Sequence, residues 1–303
     1  MYYLEDMTQE EIATKLSLSR PKVGRLLRQA KQEGIVEITV NLHPSLAMPL
    51  ETELIERFGL AKAIVVGDQP DEDEQRVRVG KATVELLNRV VLDDATIAVG
   101  MGRNVQAVSH QSSGLRQRPC TIVSGIGGSP LTGEGLNSND IAGQLADGFG
   151  GRSEGIYAPA YTKTAEMRNT FIGHLDIERT MARARRADIA VVGIGDANSE
   201  SLVVRLGCIT AQEMNRLRKD GAVGDILGSF FNRTGDPTAE WIEERVVGLT
   251  RDNLRSIPSV IAAVSERSKA PAILGALGSG LVHTLVTSVS AARSVIELAD
   301  HAD

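Results

Sequence analysis

The sequence predicts an α/β chain in two parts: an N-terminal helix-turn-helix domain with a wing at residues 1–44, then a mostly parallel α/β sheet domain at residues 45–303. Three observations predict it. Two capped amphipathic helical patterns, joined by a tight connector, open the chain. From residue 62 onward, short apolar runs alternate with helical patterns, the signature of a parallel sheet covered on both faces. Glycine-bearing loops follow several of those runs, where ligands of such sheets bind. At 303 residues the chain has room for a small domain and a second one with a substantial core.

In the first part, Thr8 and Glu11 have the spacing of a capping box, and Ile12, Ala13 and Leu16 form an apolar stripe, so a short helix ends near Leu16. Ser17-Leu18-Ser19 is a tight connector, with Leu18 plugging the corner, Ser19 as N-cap and Pro21 tolerated in the first turn. Along the second helix Val23, Leu26, Leu27 and Ala30 recur at helical spacing and are expected to face the core. That leaves Arg20, Lys22, Arg25, Arg28 and Lys31 outside, and no acidic side chain occurs at residues 19–32. Such a helix has the form of a recognition helix, whose first residues meet base edges while Lys and Arg neutralise phosphates. The expected contacts to duplex operator DNA are Ser19, Arg20, Lys22, Arg25 and Arg28; the plain alternative is a solvated basic helix in a helical hairpin. Gly34 is placed as a C-cap, and residues 35–40 alternate apolar and polar as a strand or wing.

The domain boundary is expected within residues 41–49, where His43-Pro44 and Met48-Pro49 interrupt regular structure. A short amphipathic helix at residues 50–58 comes next. Strands are then expected at 62–66, 96–99, 121–125, 155–158, 188–193, 260–264 and 282–286, with helices at 73–90 and 290–299 among them. Gly100-Met101-Gly102-Arg103-Asn104 follows one strand and opens a helix, so its N–H groups and Arg103 suit an anion or a hydroxyl-rich ligand. With two glycines and no Gly-Lys-Ser/Thr it reads equally as a structural turn. Two further loops repeat the arrangement. One is Gly125-Ile126-Gly127-Gly128, with Asn137 and Asn139 downstream, and the other is Gly193-Ile194-Gly195-Asp196.

Charge and composition bound the function. A net charge of -6 excludes wholesale coating of nucleic acid and confines DNA binding to one end. No run of eighteen apolar residues and no leader pattern occurs, so no membrane partner is expected and the cytoplasm is the default location. Cys120 and Cys208 are isolated in or beside apolar segments and read as inert buried thiols. Neither has partners at metal-ligand spacing, and no metal or cofactor is expected. Of the five histidines only His283 falls on an apparent strand, as a core histidine.

At this point the chain resembles the SorC family of sugar-responsive transcriptional regulators. The resemblance rests on Tyr2-Tyr3, on Thr8-Gln9-Glu10-Glu11-Ile12-Ala13, on Ser19-Arg20-Pro21-Lys22-Val23-Gly24-Arg25-Leu26-Leu27 and on the Glu-Gly-Ile-Val-x-Ile wing at 33–38. It continues through Gly221-Ala222-Val223-Gly224-Asp225-Ile226, Phe230-Phe231-Asn232 with Gly235, Ala276-Leu277-Gly278-Ser279-Gly280-Leu281 and Leu285-Val286-Thr287. The resemblance implies a second domain similar to the sugar-phosphate isomerase and CoA-transferase-like fold, in a homo-oligomer that is a tetramer. It also implies control of a carbohydrate or polyol catabolic operon, with DNA affinity set by a sugar, sugar phosphate or polyol effector.

Carried over position by position, the family's effector contacts fall on Gly102, Arg103, Asn104, Ser124, Gly125, Asn137, Asp225 and Lys269. Chemically, Asp225 accepts two hydroxyls and Lys269 neutralises a phosphate or donates to an oxygen; their plain readings are a turn residue and a solvated helix-end residue. The chain departs from the family's pattern at four places. Members carry most of a further helix before the Tyr-Tyr pair, which implies that Met1 falls inside it. Gly24 stands where Ser is common. Ser124 stands where some relatives carry a sugar-binding lysine, so no Schiff base is expected. Ser265-Glu266 replaces a Gly-Gly pair, and Glu266 is expected to oppose a phosphate. Two other functions compete: a sugar-phosphate isomerase or deaminase-like enzyme, for which Asp225 or Glu266 is the formal base, and a DNA-binding protein whose second domain only oligomerises.

Overall fold

The computed structural model describes residues 1–3, 7–33, 35–36, 44–129 and 135–301. It forms two compact units, Met1–Asn41 and Leu42–Asp303.

In the first unit the helix Gln9–Leu16 starts with both bonds of the capping box: the Thr8 N–H donates to Glu11 Oε2 at 2.7 Å and the Glu11 N–H to Thr8 Oγ1 at 3.3 Å. Ser17 ends it in the left-handed region at φ 53°, and the Leu18 N–H closes back on the Ala13 carbonyl at 2.9 Å. The Ser19 carbonyl then accepts the first bonds of the helix Arg20–Gln32. Ile12, Ala13 and Val23 form the buried core, with Met7, Leu18 and Leu27 packed against it. Leu26, expected inside, is 47% exposed, as is Leu16. Two helices make a narrow contact, and Leu26 lies about 100° around the helix from Leu27, off the stripe that Val23 and Leu27 occupy. Gly34 and residues 37–40 of the expected wing lie outside the described residues; Ile35 is exposed and Val36 sits in a bend.

Among the described residues the second unit carries ten strands: β1 (Lys62–Val66), β2 (Thr96–Val99), β3 (Thr121–Ser124), β4 (Arg152–Glu154), β5 (Ile189–Val192), β6 (Gly195–Asp196), β7 (Gly224–Ile226), β8 (Ser229–Phe231), β9 (Ser259–Ala263) and β10 (Thr284–Ser288). Seven form one sheet in the order β1-β10-β9-β5-β2-β3-β4, and every pairing in it is parallel. Burial alternates along the central strands. Ala98, Val123, Ala190 and Ala262 face one core with the helices Pro44–Phe58, Ala270–Gly278 and Val289–Asp300. Ile97, Val99, Ile122, Val191 and Ile261 face the other, under the helices Glu72–Val90, Arg103–His110 and Ser138–Phe149.

Strand order sets the place of the site. From β2 the chain steps outward to β3 and β4, then returns to β5 on the other side of β2 and continues to β9 and β10. The crevice beyond the C-terminal ends of β2 and β5 is therefore the topological switch point, where ligands of open α/β sheets bind.

Three expectations are corrected. The strand expected at 155–158 is β4, an edge strand paired to β3 alone through Thr121↔Arg152 to Val123↔Glu154. An edge strand of Arg, Ser and Glu has no apolar alternation to read, while Ile156 and Ala158 are buried instead against Ile177, Met181 and Val247. The last strand lies two residues later than expected, at Thr284–Ser288. The helix Pro44–Phe58 runs through Pro49, which the sequence placed as a break. Pro49 is the sixth residue of that helix and forfeits the bond to the Ser45 carbonyl, yet the helix continues past it to Phe58.

β6, β7 and β8 form a separate antiparallel sheet with register Gly195↔Asp225 and Asp225↔Phe230. Strands of two or three residues leave no periodicity in a sequence, so this sheet was not foreseen. His283 precedes β10, half-buried, with Nδ1 accepting the Val260 N–H at 2.9 Å. Cys120 is buried and Cys208 half-buried, and burial pushes both thiols up, away from the reactive thiolate.

Candidate functional site

A cavity of about 520 Å³ opens at the switch point. The loop after β2 supplies Gly102, Arg103 and Asn104, and the loop after β5 supplies Ile194 to the antiparallel β6. Asp225, Leu227 and Gly228 come from the β7–β8 hairpin, and Glu266 and Lys269 from the segment after β9. Gly102 turns the chain at φ 110°, a conformation glycine adopts at no steric cost, and its carbonyl starts the helix Arg103–His110 by accepting the Gln106 N–H at 2.9 Å.

Of the eight effector positions expected from the sequence, Gly102, Arg103, Asn104, Asp225 and Lys269 meet at this cavity. Ser124, Gly125 and Asn137 do not line it. Ser124 Oγ donates to Asn139 Oδ1 at 2.6 Å, Asn137 caps the helix Ser138–Phe149 through the Asn139 N–H at 3.1 Å, and the Gly125 N–H donates to the Val99 carbonyl at 2.8 Å. β3 lies one strand outward from the switch point, and of the loop that follows it Ile126 lines the cavity.

Asp225 is 7% exposed and takes one hydrogen bond, from the Gly228 N–H to Oδ2 at 2.9 Å. Burial pushes its carboxyl up to about 6, opposed by the Gly228 bond and by Lys269 and aided by Asp196.

Glu266 has the opposite balance. Its Oε1 accepts Arg76 Nε at 3.0 Å, its Oε2 accepts Asn104 Nδ2 at 2.8 Å, and Lys269 Nζ lies 3.4 Å away. Burial alone would raise it; Lys269, Asn104 and Arg76 override that and hold it down to about 2. Arg76 is itself buried and also meets Glu72 at 2.7 Å and Asp73. Lys269 Nζ also donates to the Ile194 carbonyl at 3.1 Å. Glu266, expected to stand against a phosphate, is thus neutralised by the chain's own cations.

Among the described residues, three buried polar atoms of the lining find no hydrogen-bond partner: Asn104 Oδ1, Tyr161 Oη and Ser201 Oγ. Buried polar atoms left unpaired at a cavity wall are what a polar ligand satisfies. Tyr161, Ser201 and Arg76 were missed because none sits in a glycine loop or a recognisable pattern. Among the described residues no group of three His, Cys, Asp or Glu side chains is placed to hold a metal ion, and no helix is long and apolar enough to cross a membrane.

In the first unit Ser19, Arg20, Lys22, Arg25 and Arg28 are all exposed. Arg20, Arg25 and Arg28 border one open groove together with Gln9 and Gly24. A Cβ on Gly24 would lie 3.3 Å from Gln9 Oε1, so the glycine lets the second helix approach the side chain of the first closely.

Proteins of known family share both the sequence and the fold. The family described as "Putative sugar-binding domain" matches residues 43–297. The transcriptional regulator LsrR of Enterobacter sp. (strain 638) is 31% identical over 302 residues, covering 98% of this chain and 91% of that protein. Among solved structures, the sugar-binding domain of a transcriptional repressor from Vibrio fischeri is 40% identical with a TM-score of 0.78, covering 84% of this chain and all of that one. The full-length sorbitol operon regulator SorC from Klebsiella pneumoniae is 26% identical with a TM-score of 0.77, covering 96% of this chain and 94% of that one. The chain belongs to this sugar-binding domain family and is a SorC-type transcriptional regulator.

Proposed function

We propose that the chain binds a duplex operator through the helix Arg20–Gln32 and that a sugar, sugar phosphate or polyol in the cavity at the ends of β2 and β5 sets its operator affinity. One observation carries the reading. Arg103 and Asn104 are joined by Asp225 and Lys269, more than a hundred residues further along the chain, in lining a single cavity at the switch point, beside three buried polar atoms that lack partners among the described residues. A ligand with several hydroxyls satisfies those atoms and the free lone pairs of Asp225. Affinity, rather than turnover, is the output of the site: an effector acts by binding two conformations of the protein unequally. The recognition helix requires a homo-oligomer, since one helix-turn-helix buries too little surface for tight operator binding and a symmetric pair reads two half-sites.

Two measurements on the full chain test this. In a thermal-shift screen of sugars, polyols and sugar phosphates, selected compounds are expected to stabilise the protein by several degrees, and Asp225→Ala to lose that response while ligand-free operator affinity is retained. A flat screen, or loss of operator binding in Asp225→Ala, contradicts the assignment. Incubating the stabilising compound with the protein and recovering it chemically unchanged by NMR separates regulation from isomerase-like turnover.

A further inference from the structure

We propose that Glu266 is a built-in anion that fills the cation cradle of the cavity, so that this chain selects a neutral polyhydroxylated effector over its phosphorylated counterpart. The inference rests on the cavity being the effector site.

The donors around Glu266 are those that would hold a phosphate: a guanidinium nitrogen at 3.0 Å, a carboxamide N–H at 2.8 Å and an ammonium at 3.4 Å. All three converge on one carboxylate whose side chain is 9% exposed. No cationic capacity is left over there. The remaining guanidinium nitrogens of Arg76 are taken by Glu72 and Asp73, and Lys269 also serves the Ile194 carbonyl. Elsewhere the lining carries the arginines Arg103 and Arg205 together with the acidic Asp196 and Glu200. A dianion entering such a space meets acidic groups whose compensating charges are already engaged, and like charges in a partly buried site repel strongly.

Asn104 and Asp225 point the same way. An ionised carboxylate only accepts, so the bond to Glu266 fixes Nδ2 of Asn104 toward it and leaves Oδ1, an acceptor, buried without a partner in a residue of the lining. Asp225 is the second acceptor. Acceptors at a wall call for donors on the ligand; hydroxyl groups supply them and a phosphate dianion does not.

The probe is inorganic phosphate, followed by thermal stabilisation and calorimetry on the full chain. Wild-type protein is expected to show no response at millimolar phosphate, whereas Glu266→Ala exposes Arg76 and Lys269 and binds phosphate at least about tenfold more tightly than wild type. Equal phosphate binding in both proteins, or a folded variant that gains none, overturns the proposal. If Glu266→Ala does not fold, Glu266→Gln removes the charge with little change in shape and is judged by the same readout.

Matched pairs of a hexitol or hexose and its 6-phosphate complete the test. Wild type is expected to respond to the neutral member, and a stronger response to the phosphorylated member overturns the inference while leaving the effector site standing. If neither member of any pair binds, the effector reading fails, and the phosphate experiment still decides whether Glu266 blocks the cradle.

Discussion

Asp225 and Glu266 sit in one cavity and act on stability in opposite directions. The Asp225 carboxyl is raised from 3.8 to about 6, so the folded state holds its proton more tightly than the unfolded chain. Its contribution to stability is full below the unfolded value and is lost as pH rises through about 6. We therefore expect Asp225→Asn, which keeps an acceptor for the Gly228 N–H, to stabilise the protein by up to about 3 kcal/mol at pH 8 and by much less at pH 4. Urea unfolding of both proteins at the two pH values measures it, and an equal increment at both would contradict the assignment. Glu266 is depressed from 4.5 to about 2, so its contribution is present above 4.5 and is lost as pH falls through about 2. The cost of Glu266→Gln is accordingly expected at neutral pH and to fade in acid. Asp225 thus combines a raised carboxyl with a place in the cavity lining, the combination found at functional carboxylates.

The helix Arg20–Gln32 carries an exposed basic face, and the β6–β7–β8 sheet carries Asp225. On the helix, the exposed arginines and Lys22 have no acidic neighbour within the same element, so their charge is available to DNA. Arg25→Ala is expected to cost about 1–3 kcal/mol of operator affinity if it reads a base. Replacing Arg20, Arg25 and Arg28 together should weaken binding and flatten its salt dependence by about one unit of slope for each phosphate that is no longer neutralised, in an operator titration at several salt concentrations. Unchanged affinity and slope would remove the helix from the interface.

In the small sheet, Gly224 keeps Asp225 in register opposite Gly195. A Cβ there would lie 2.5 Å from the Gly195 carbonyl oxygen and 2.6 Å from Ala272 Cβ, so the strand must lift off the helix Ala270–Gly278. We expect Gly224→Ala to destabilise by about 1–3 kcal/mol and to lose effector-dependent stabilisation with it, read by chemical unfolding and thermal shift. Retention of both would show that the hairpin tolerates displacement.

Across the molecule, the two sites lie in separate compact units, Met1–Asn41 and Leu42–Asp303, so any control of DNA by effector is a coupling between units. Such coupling is reciprocal: if effector changes operator affinity by some factor, operator changes effector affinity by the same factor. Calorimetric titration of effector with and without operator duplex is expected to show it, and an effector affinity indifferent to saturating operator would deny the linkage. Light scattering at micromolar concentration is expected to show at least a dimer, since two half-sites need two helices; a monomer with and without ligand would rule out the symmetric reading.

The amino-acid order alone determined the capping box at Thr8 and Glu11, the basic exterior of the second helix, most strands of the parallel sheet and the glycine loops after β2 and β5. Each of these is a local pattern of period two or 3.6, or a cap set by neighbours a few positions apart. It also marked Glu266 as unusual, but not the partner that holds it, because Arg76 is 190 positions away. Only the tertiary structure decided that β2 and β5 are neighbours and thus which strand-end loops share a cavity. That order brought Asp225 and Lys269 to Arg103 and Asn104, left Ser124, Gly125 and Asn137 outside, and added Tyr161 and Ser201. Strand order and charge pairing are long-range: they follow from how helices and strands pack to bury their apolar faces, and nothing in a window of adjacent residues encodes them.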